Sequence, residues 1–158
     1  MPVDIATGAV RLEFDDVVIP GKVNLVWNRL YSTPLLDGPA TPMGRGWTSR
    51  YFATLTRIPE GYQFLTPEGD IEVFSDPAGS VELGGIVRRL GTFEEIFRLD
   101  RRYVVQRWDV ETGEIQRYCF LIDQHDQPLR LTSIEDVTGQ AVDLVWDGQG
   151  RLAEVRQR

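Results

Sequence analysis

The sequence holds few of the residue types on which metal binding and covalent cross-links depend. Its 158 residues include one cysteine and one histidine. The lone Cys119 excludes an internal disulfide, and its place in the apolar run 118–122 predicts a small buried hydrophobe. His125 stands close to Asp123 and Asp126, but no second histidine is present, so an exposed hairpin turn is favoured over a metal site.

A long apolar run and an excess of positive charge are also absent. No apolar stretch approaches the roughly 20 residues that a membrane-spanning helix needs, so no membrane span is expected. Asp and Glu number 24 against 17 for Lys and Arg, and the resulting net charge of −7 argues against nucleic acid as a partner. The first residues lack a basic region followed by an apolar one, so a secretory signal is not expected.

Patterns typical of enzymes are missing as well. No serine stands in a GxSxG context, and one histidine leaves little material for a catalytic triad. The adjacent carboxylates Asp15-Asp16 and Glu94-Glu95 would point to opposite faces of a strand, although pairing with distant segments stays open. The sequence therefore predicts a protein that is not an enzyme and that needs no cofactor or metal, with a hydrolase of dispersed carboxylates as a remote alternative.

Alternation of apolar and polar residues dominates the chain. Val10, Leu12 and Phe14 share one face while Arg11 and Glu13 share the other, which is typical of a half-buried strand. The pattern predicts an all-β fold, an antiparallel meander of roughly ten to twelve short strands joined as hairpins, and a single β domain over residues 1–158. Similar runs occur at Val23 to Tyr31, Tyr51 to Ile58, Tyr62 to Leu65, Ile71 to Phe74, Tyr103 to Trp108, Ile115 to Ile122, Leu129 to Ile134, Ala141 to Trp146 and Leu152 to Val155.

One segment allows two interpretations. Thr92 and Glu95 have the spacing of a helix capping box, which predicts a short helix. Phe93, Glu95, Phe97 and Leu99 also alternate as a strand would.

A weak internal repeat runs through the chain from residue 66 to residue 146. The segments TPEGDIEVF (66–74), VETGEIQRYCF (110–120) and VTGQAVDLVW (137–146) each place a glycine at a turn before an alternating strand that ends in an aromatic residue. The glycines would supply a positive φ in tight turns. Because a single hairpin is too small to be stable, neighbouring hairpins are expected to cover one another.

Four motifs carry a family resemblance. The chain opens with PVDIATG (2–8), continues with an IPG-x-VNLVWNRLYS segment (19–32) and PMGRGWTSRY (42–51), and ends with WDGQGRLAEV (146–155). The first three resemble the N-terminal region of the Rhs/YD-repeat proteins, which are bacterial polymorphic toxins, and the last is similar to their YD repeat. Arg45 replaces a proline of the family pattern, and Trp146 stands where tyrosine is usual.

The resemblance implies how the residues are divided and which of them are structural. Residues 1–58 would carry the N-terminal motifs, and residues 59–158 would form YD-repeat-like hairpins of a β-sheet shell. Gly44 and Gly46 would let the backbone pass close to the Trp47 indole, which would anchor its loop in the core. The residues expected to carry the structure are Trp27, Tyr31, Gly44, Gly46, Trp47, Trp146, Asp147, Gly150 and Leu152.

The resemblance also implies a function: a non-catalytic segment of a shell that encapsulates or helps deliver a C-terminal toxin, with type VI secretion as the expected route. The expected partners are the remainder of an Rhs shell, a toxin cargo or a secretion spike or adaptor protein, and a dimer through edge strands is an alternative. The protein would reside in the bacterial cytoplasm before export by a dedicated system without a cleavable signal peptide. The competing hypothesis is a free-standing β module that binds carbohydrate or a partner protein at the cell surface.

Overall fold

A computed structural model describes residues 3–38, 41–109, 112–122 and 128–158, and these form β-strands and two short 3-10 helices. The 3-10 helices are Thr33–Leu36 and Arg50–Phe52. The strands are β1 (Arg11–Ile19), β2 (Leu25–Ser32), β3 (Trp47–Thr48), β4 (Thr54–Ile58), β5 (Gly61–Leu65), β6 (Ile71–Ser75), β7 (Ile86–Arg88), β8 (Glu95–Leu99), β9 (Arg102–Trp108), β10 (Ile115–Leu121), β11 (Leu129–Glu135), β12 (Ala141–Trp146) and β13 (Leu152–Gln157). The predicted all-β, antiparallel fold is confirmed.

The larger sheet forms a nearly closed barrel. Eight strands lie side by side in the order β6-β5-β4-β11-β10-β9-β8-β7, so the edge strands β6 and β7 approach each other. Strand β11 links the two halves of the barrel sheet. Its residues Leu129 and Arg130 pair with β4, while Ser133–Glu135 pair with β12. The sheet branches at this strand, and β13 extends the branch by pairing with β12. The β4–β11 pairing interrupts the simple meander that the sequence predicts.

The segment between β6 and β7 closes one end of the barrel. Asp76 accepts hydrogen bonds from the backbone amides of Ser80 (2.7 Å) and Val81 (3.0 Å), which hold the segment in a compact turn. Val81 is fully buried in the barrel interior. The segment therefore joins the two edge strands and seals the space between them.

A second sheet of three strands, in the order β1-β2-β3, packs over the barrel. Trp27 of β2 packs against the core next to Tyr51, with ring centroids 6.0 Å apart. The opposite face of β2 also carries buried residues, because the Asn28 side chain accepts hydrogen bonds from Ser49 Oγ (3.1 Å) and the Arg50 amide (2.9 Å). Both faces of this strand are therefore covered in part, where alternation predicts one buried face.

The barrel interior is the main core. Its fully buried side chains come from most strands of the barrel, and aromatic rings are prominent among them. Cys119 is buried as predicted, but on the opposite face of β10 from Tyr118 and Phe120. Burial raises the pKa of the Cys119 thiol to about 11, so the group stays protonated at neutral pH.

Two segments differ from their predicted structure. The run from Tyr51 to Ile58 begins as a 3-10 helix and becomes a strand only at Thr54. The Tyr51 hydroxyl accepts a hydrogen bond from the Val26 amide (3.0 Å), and this tertiary contact holds the turn. The ambiguous segment around Thr92 is a turn followed by strand β8, so the strand interpretation is confirmed and the helix is wrong. Of the described residues, none belongs to a helix long and apolar enough to cross a membrane.

Candidate functional site

The predicted aromatic residues of the N-terminal half fall into two groups. Trp47 lies 5.3 Å from Tyr31 and 6.5 Å from Phe14, measured between ring centroids, and the Arg29 guanidinium stands 5.9 Å above the indole. Trp47 is half-buried in this small cluster and does not reach the barrel core, where the sequence predicts it. Trp27 packs separately, against the core. The structure therefore brings Tyr31 and Trp47 together and leaves Trp27 apart.

Gly44 and Gly46 shape the loop before Trp47. Both have a positive φ, 98° and 79°, which side chains other than glycine rarely adopt. At Gly46 a Cβ atom would lie 2.7 Å from the Tyr31 ring, so any side chain at this position would clash with the tyrosine. The Gly46 carbonyl accepts a hydrogen bond from the Ser32 amide (2.8 Å), which ties the loop to the end of β2.

The C-terminal motif forms the hairpin turn between β12 and β13. Asp147 Oδ1 accepts hydrogen bonds from the amides of Gln149 and Arg151, both at 2.9 Å. These bonds, with the Arg151 side chain, hold the pKa of Asp147 below its usual value. Gly150 has φ 77°, which side chains other than glycine rarely adopt, and a Cβ there would require the end of the Arg130 side chain to move. The hydrogen bonds of Asp147 and the backbone conformation of Gly150 therefore define the turn.

The two apolar residues of the same motif face the core. Trp146 donates a hydrogen bond from Nε1 to the Leu131 carbonyl (2.7 Å), and Leu152 is its partner across the hairpin. Both residues are half-buried against the core cluster. The structure thus places Trp146, Asp147, Gly150 and Leu152 in one compact unit.

The internal repeat corresponds to a repeated turn. Asp136 Oδ1 accepts hydrogen bonds from the amides of Thr138 (2.8 Å) and Gln140 (3.0 Å), in the same pattern as the Asp147 turn. Gly139 follows with φ 87°. In the first repeat Thr66 replaces the aspartate, and its hydroxyl accepts a hydrogen bond from the Asp70 amide (3.0 Å). His125, Asp123 and Asp126, considered above for a metal, lie outside the described residues.

A cluster that sequence reasoning missed closes the barrel end beneath the β6–β7 segment, here called the tyrosine end. Glu82 accepts hydrogen bonds from the hydroxyls of Tyr62 (2.9 Å) and Tyr103, and Arg98 lies 3.0 Å from its other oxygen. Burial acts to raise the pKa of Glu82, but these hydrogen bonds and the neighbouring arginines hold it below its usual value. Burial and the bond to Glu82 raise the pKa of both tyrosines. Glu82 therefore stays ionised, and both of its carboxylate oxygens have partners.

A different cluster closes the opposite end, here called the carboxyl end. Glu72 of β6 lies close enough to Glu94, which precedes β8, for each carboxyl group to shift the pKa of the other. Glu94 accepts a hydrogen bond from Arg107 Nε (2.9 Å), and Arg89 lies 3.2 Å from Glu72 and 3.3 Å from Glu94. The two carboxyl side chains are only 12% and 13% exposed. The carboxylate pairing across distant segments that the sequence left open thus exists here.

The pKa values of the two carboxyl groups are shifted in opposite directions. Burial, followed by the hydrogen bond and charge of Glu94, raises the pKa of Glu72 to about 7. Burial opposes ionisation of Glu94 too, but bonds from Glu72 and Arg107 hold its pKa below the usual value. Glu68, paired with Arg107 at 2.8 Å, completes the cluster. With Glu72 protonated, the two anions Glu68 and Glu94 balance the two arginines, so the cluster is neutral.

The carboxyl end holds the barrel seam by side chains. Between the described residues of β6 and β7 no backbone ladder is formed, and the contact between Arg89 Nη1 and Glu72 Oε1 (3.2 Å) spans the gap. Glu72 Oε2, Arg89 Nε and Glu94 Oε2 are buried without hydrogen-bond geometry to any described partner. The contacts that close the seam therefore depend on the protonation state of Glu72. Among the described residues no group of three or more His, Cys, Asp or Glu side chains could hold a metal ion.

Strand β13 forms an open edge at the other margin of the fold. Among the described strands it pairs only with β12. The Gln157 side chain donates hydrogen bonds to the carbonyls of Ile19 (3.1 Å) and Val23 (3.3 Å), so the tip of the β1–β2 hairpin lies beside this edge. Val17 and Ile19 on that hairpin are half-exposed. The unpaired edge of β13 therefore lies next to the exposed apolar side chains of the β1–β2 hairpin.

Comparison with known protein families gives a match in the N-terminal part of the chain. Residues 1–74, which include β1 to β5 and all of β6 except Ser75, match the model of a family described as Domain of unknown function (DUF6531). No curated protein matches the chain significantly. The family match covers the predicted N-terminal motifs and ends within the barrel, at the inward-facing Phe74.

Proposed function

We propose that the chain is a non-catalytic structural module, the N-terminal segment of an Rhs/YD-repeat shell that encapsulates or helps deliver a C-terminal toxin. Type VI secretion is the proposed route, and the remaining shell, the cargo or a spike or adaptor protein are the proposed partners. The proposal is supported by the N-terminal motifs within the matched residues 1–74 and by the repeated Asp-Gly turns of the hairpins.

The observation that carries the proposal is the edge of β13 beneath the β1–β2 hairpin. An unpaired strand edge exposes backbone N–H and C=O groups that a further antiparallel strand can bind. A strand added there would also cover the half-exposed Val17 and Ile19. The same edge thus offers both hydrogen bonds and apolar burial to a following hairpin.

The charges at this edge are already neutralised within the chain. Arg156 lies 2.6 Å from Glu154, and Arg158 lies 2.9 Å from Asp143. Charged side chains on an edge strand limit uncontrolled association, while still permitting a partner whose own charges fit. Addition of one matched hairpin is therefore favoured over open-ended growth.

A first test reads the full coding frame and its neighbouring genes. We expect the frame to continue into further YD repeats and a variable C-terminal domain, followed by a small gene for an immunity protein. A frame that ends after Arg158 without such neighbours would overturn the proposal and favour a free-standing β module.

A second test probes the edge itself with a peptide that copies residues 137–157, the β11–β12 turn, β12 and β13. Addition of this hairpin should slow amide hydrogen exchange in residues 152–157 of the protein. A matched peptide with proline in place of Leu144 and Val155 removes ladder hydrogen bonds and serves as the control. Equal exchange with both peptides at saturating concentration would count against strand addition at β13.

A further inference from the structure

The outer face of β7 to β10 carries a row of planar polar side chains. Arg88, Glu95, Gln106 and Arg117 are successive cross-strand neighbours. Arg88 Nε donates to Glu95 at 2.8 Å, and Arg117 Nε donates to the Gln106 side-chain oxygen at 2.9 Å. These bonds fix the orientation of the guanidinium, carboxylate and amide planes on an exposed surface.

Two exposed aromatic rings lie directly beside this row. Trp108 is on the same face of β9 as Gln106, two residues further along the strand. Phe93, in the turn before β8, lies 5.2 Å from Trp108 between ring centroids, with the planes inclined at 59°. Phe93 is 70% exposed and Trp108 49% exposed, so both rings are accessible to solvent.

The rings and the polar row enclose a small groove, here called the outer groove. Its volume is 160 Å³, below the roughly 300 Å³ at which drug-sized ligand sites begin, so it suits a single ring. The lining residues are Arg88, Phe93, Glu95, Gln106, Trp108 and Ile115. Aromatic faces on one side and oriented donors and acceptors on the other match a ligand that has both an apolar face and a polar edge.

Charge narrows the class of ligand. The groove contains one cation and one anion, Arg88 and Glu95, which neutralise each other. The chain as a whole carries a net charge of −7, which disfavours an anionic ligand at long range. A neutral ligand is therefore preferred over a sugar acid or a phosphate ester.

We infer that the outer groove binds one ring of a neutral glycan, a pyranose with mostly equatorial hydroxyls. The flat C–H face of such a ring would stack on Trp108 or Phe93, and its hydroxyls would meet Gln106, Arg88 and Glu95. This inference does not depend on the proposed shell, because none of its residues belongs to β13 or to the β1–β2 hairpin.

The experiment titrates the 158-residue chain with cellohexaose and with N,N′-diacetylated chitohexaose, using calorimetry and tryptophan fluorescence. Saturable binding with a blue shift of the emission is expected, because stacking removes Trp108 from water. The Trp108→Ala variant should lose binding, and Phe93→Ala should weaken it at least about tenfold. Circular dichroism and the unfolding midpoint confirm that these surface variants remain folded.

A matched control changes Leu90, which is 98% exposed in the same turn as Phe93 but does not line the outer groove. The Leu90→Ala variant should bind like the parent chain. No saturable heat with either sugar up to about 10 mM would overturn the inference, as would undiminished binding by Trp108→Ala. Tighter binding of an oligogalacturonate than of both neutral sugars would also contradict it.

Discussion

The two ends of the barrel interior are both closed by charged side chains, but by different chemistry. At the tyrosine end one carboxylate, Glu82, takes hydrogen bonds from two tyrosines and pairs with arginine. At the carboxyl end two carboxyl groups, Glu72 and Glu94, lie against two arginines, the pKa of Glu72 is raised, and some of the buried atoms lack hydrogen-bond partners. A single anion with enough donors stabilises its end of the barrel throughout the neutral pH range, whereas the stability contributed by two neighbouring carboxyl groups falls as the group with the raised pKa ionises.

The largest expected loss of stability comes from a substitution in the core layer between the two ends of the barrel. Phe64 is fully buried, lies directly opposite Glu72 in the sheet, and is approached by Arg107 at 5.9 Å from the ring centroid. Phe64→Ala should lower the free energy of unfolding by about 3–5 kcal/mol, because it leaves a cavity in the core. Urea unfolding curves measure this loss.

Trp47→Ala is the matched control outside the barrel. Because Trp47 is only half-buried, its loss should be smaller, about 1–2 kcal/mol. Equal losses for the two variants would mean that Trp47 belongs to the core after all.

The next largest loss of stability is expected from a substitution at the tyrosine end. Glu82→Ala should lower the free energy of unfolding by about 2–3 kcal/mol, because the buried hydroxyls of Tyr62 and Tyr103 lose a charged acceptor. Denaturant midpoints at pH 7 measure the change. Glu60→Ala, an exposed carboxylate at the neighbouring β4–β5 turn, is the control and should have little effect. A Glu82→Ala variant as stable as the control would show that the tyrosine end does not depend on this anion.

The carboxyl end should give a smaller, pH-dependent effect. The pKa of Glu72 is about 7 in the folded chain against an ordinary value of 4.5, so the folded state binds a proton that the unfolded state releases. The contribution of Glu72 to the free energy of unfolding is therefore fully present below pH 4.5 and is lost as the pH rises to about 7. Allowing for solvent screening, the loss is on the order of 1–2 kcal/mol.

Glu72→Gln should remove this pH dependence, because the amide keeps a donor toward Glu94 and carries no charge. Unfolding measured at pH 5, 6, 7 and 8 distinguishes the variants. Glu68→Gln alters a more exposed carboxylate of the same cluster and should keep the slope. The same slope in the Glu72→Gln variant and the parent chain would assign the effect to another group.

The smallest effects are expected at two hairpin turns outside the barrel interior. Asp136→Ala and Asp147→Ala each remove two hydrogen bonds to turn amides. Because the two turns have the same geometry, the two variants should lower stability to the same small extent. Thermal unfolding of the pair measures it, and a clear difference between them would mean that the turns contribute differently.

The sequence predicted local features well. Alternation predicted most strands, because side chains on a strand point to opposite faces and one of these faces packs against the core. Gly150 could be assigned to a turn because a positive φ favours glycine. The sequence did not predict the short strands β3 and β7, because two or three residues are too few to show alternation.

The polar clusters could not be predicted in this way. Glu72 and Glu94 are 22 positions apart, and each looks like an ordinary polar residue: Glu72 alternates with the apolar residues of its strand, and Glu94 stands beside another glutamate. Glu82 stands in a segment without alternation, so no pattern assigned it to two distant tyrosines. The signal that could have found Glu72 is weak: it shares the face of the buried Phe74, two residues further along β6.

The sequence by itself determined that this chain is built of antiparallel hairpins with Asp-Gly turns, because these features depend on neighbours within a few residues. Only the tertiary structure decided that β4 pairs with β11 and that β6 meets β7 across a seam closed by carboxyl groups. The reason is physical: strand pairing across the barrel and the raised pKa of Glu72 arise from burial and charges contributed by distant segments, which no local pattern contains.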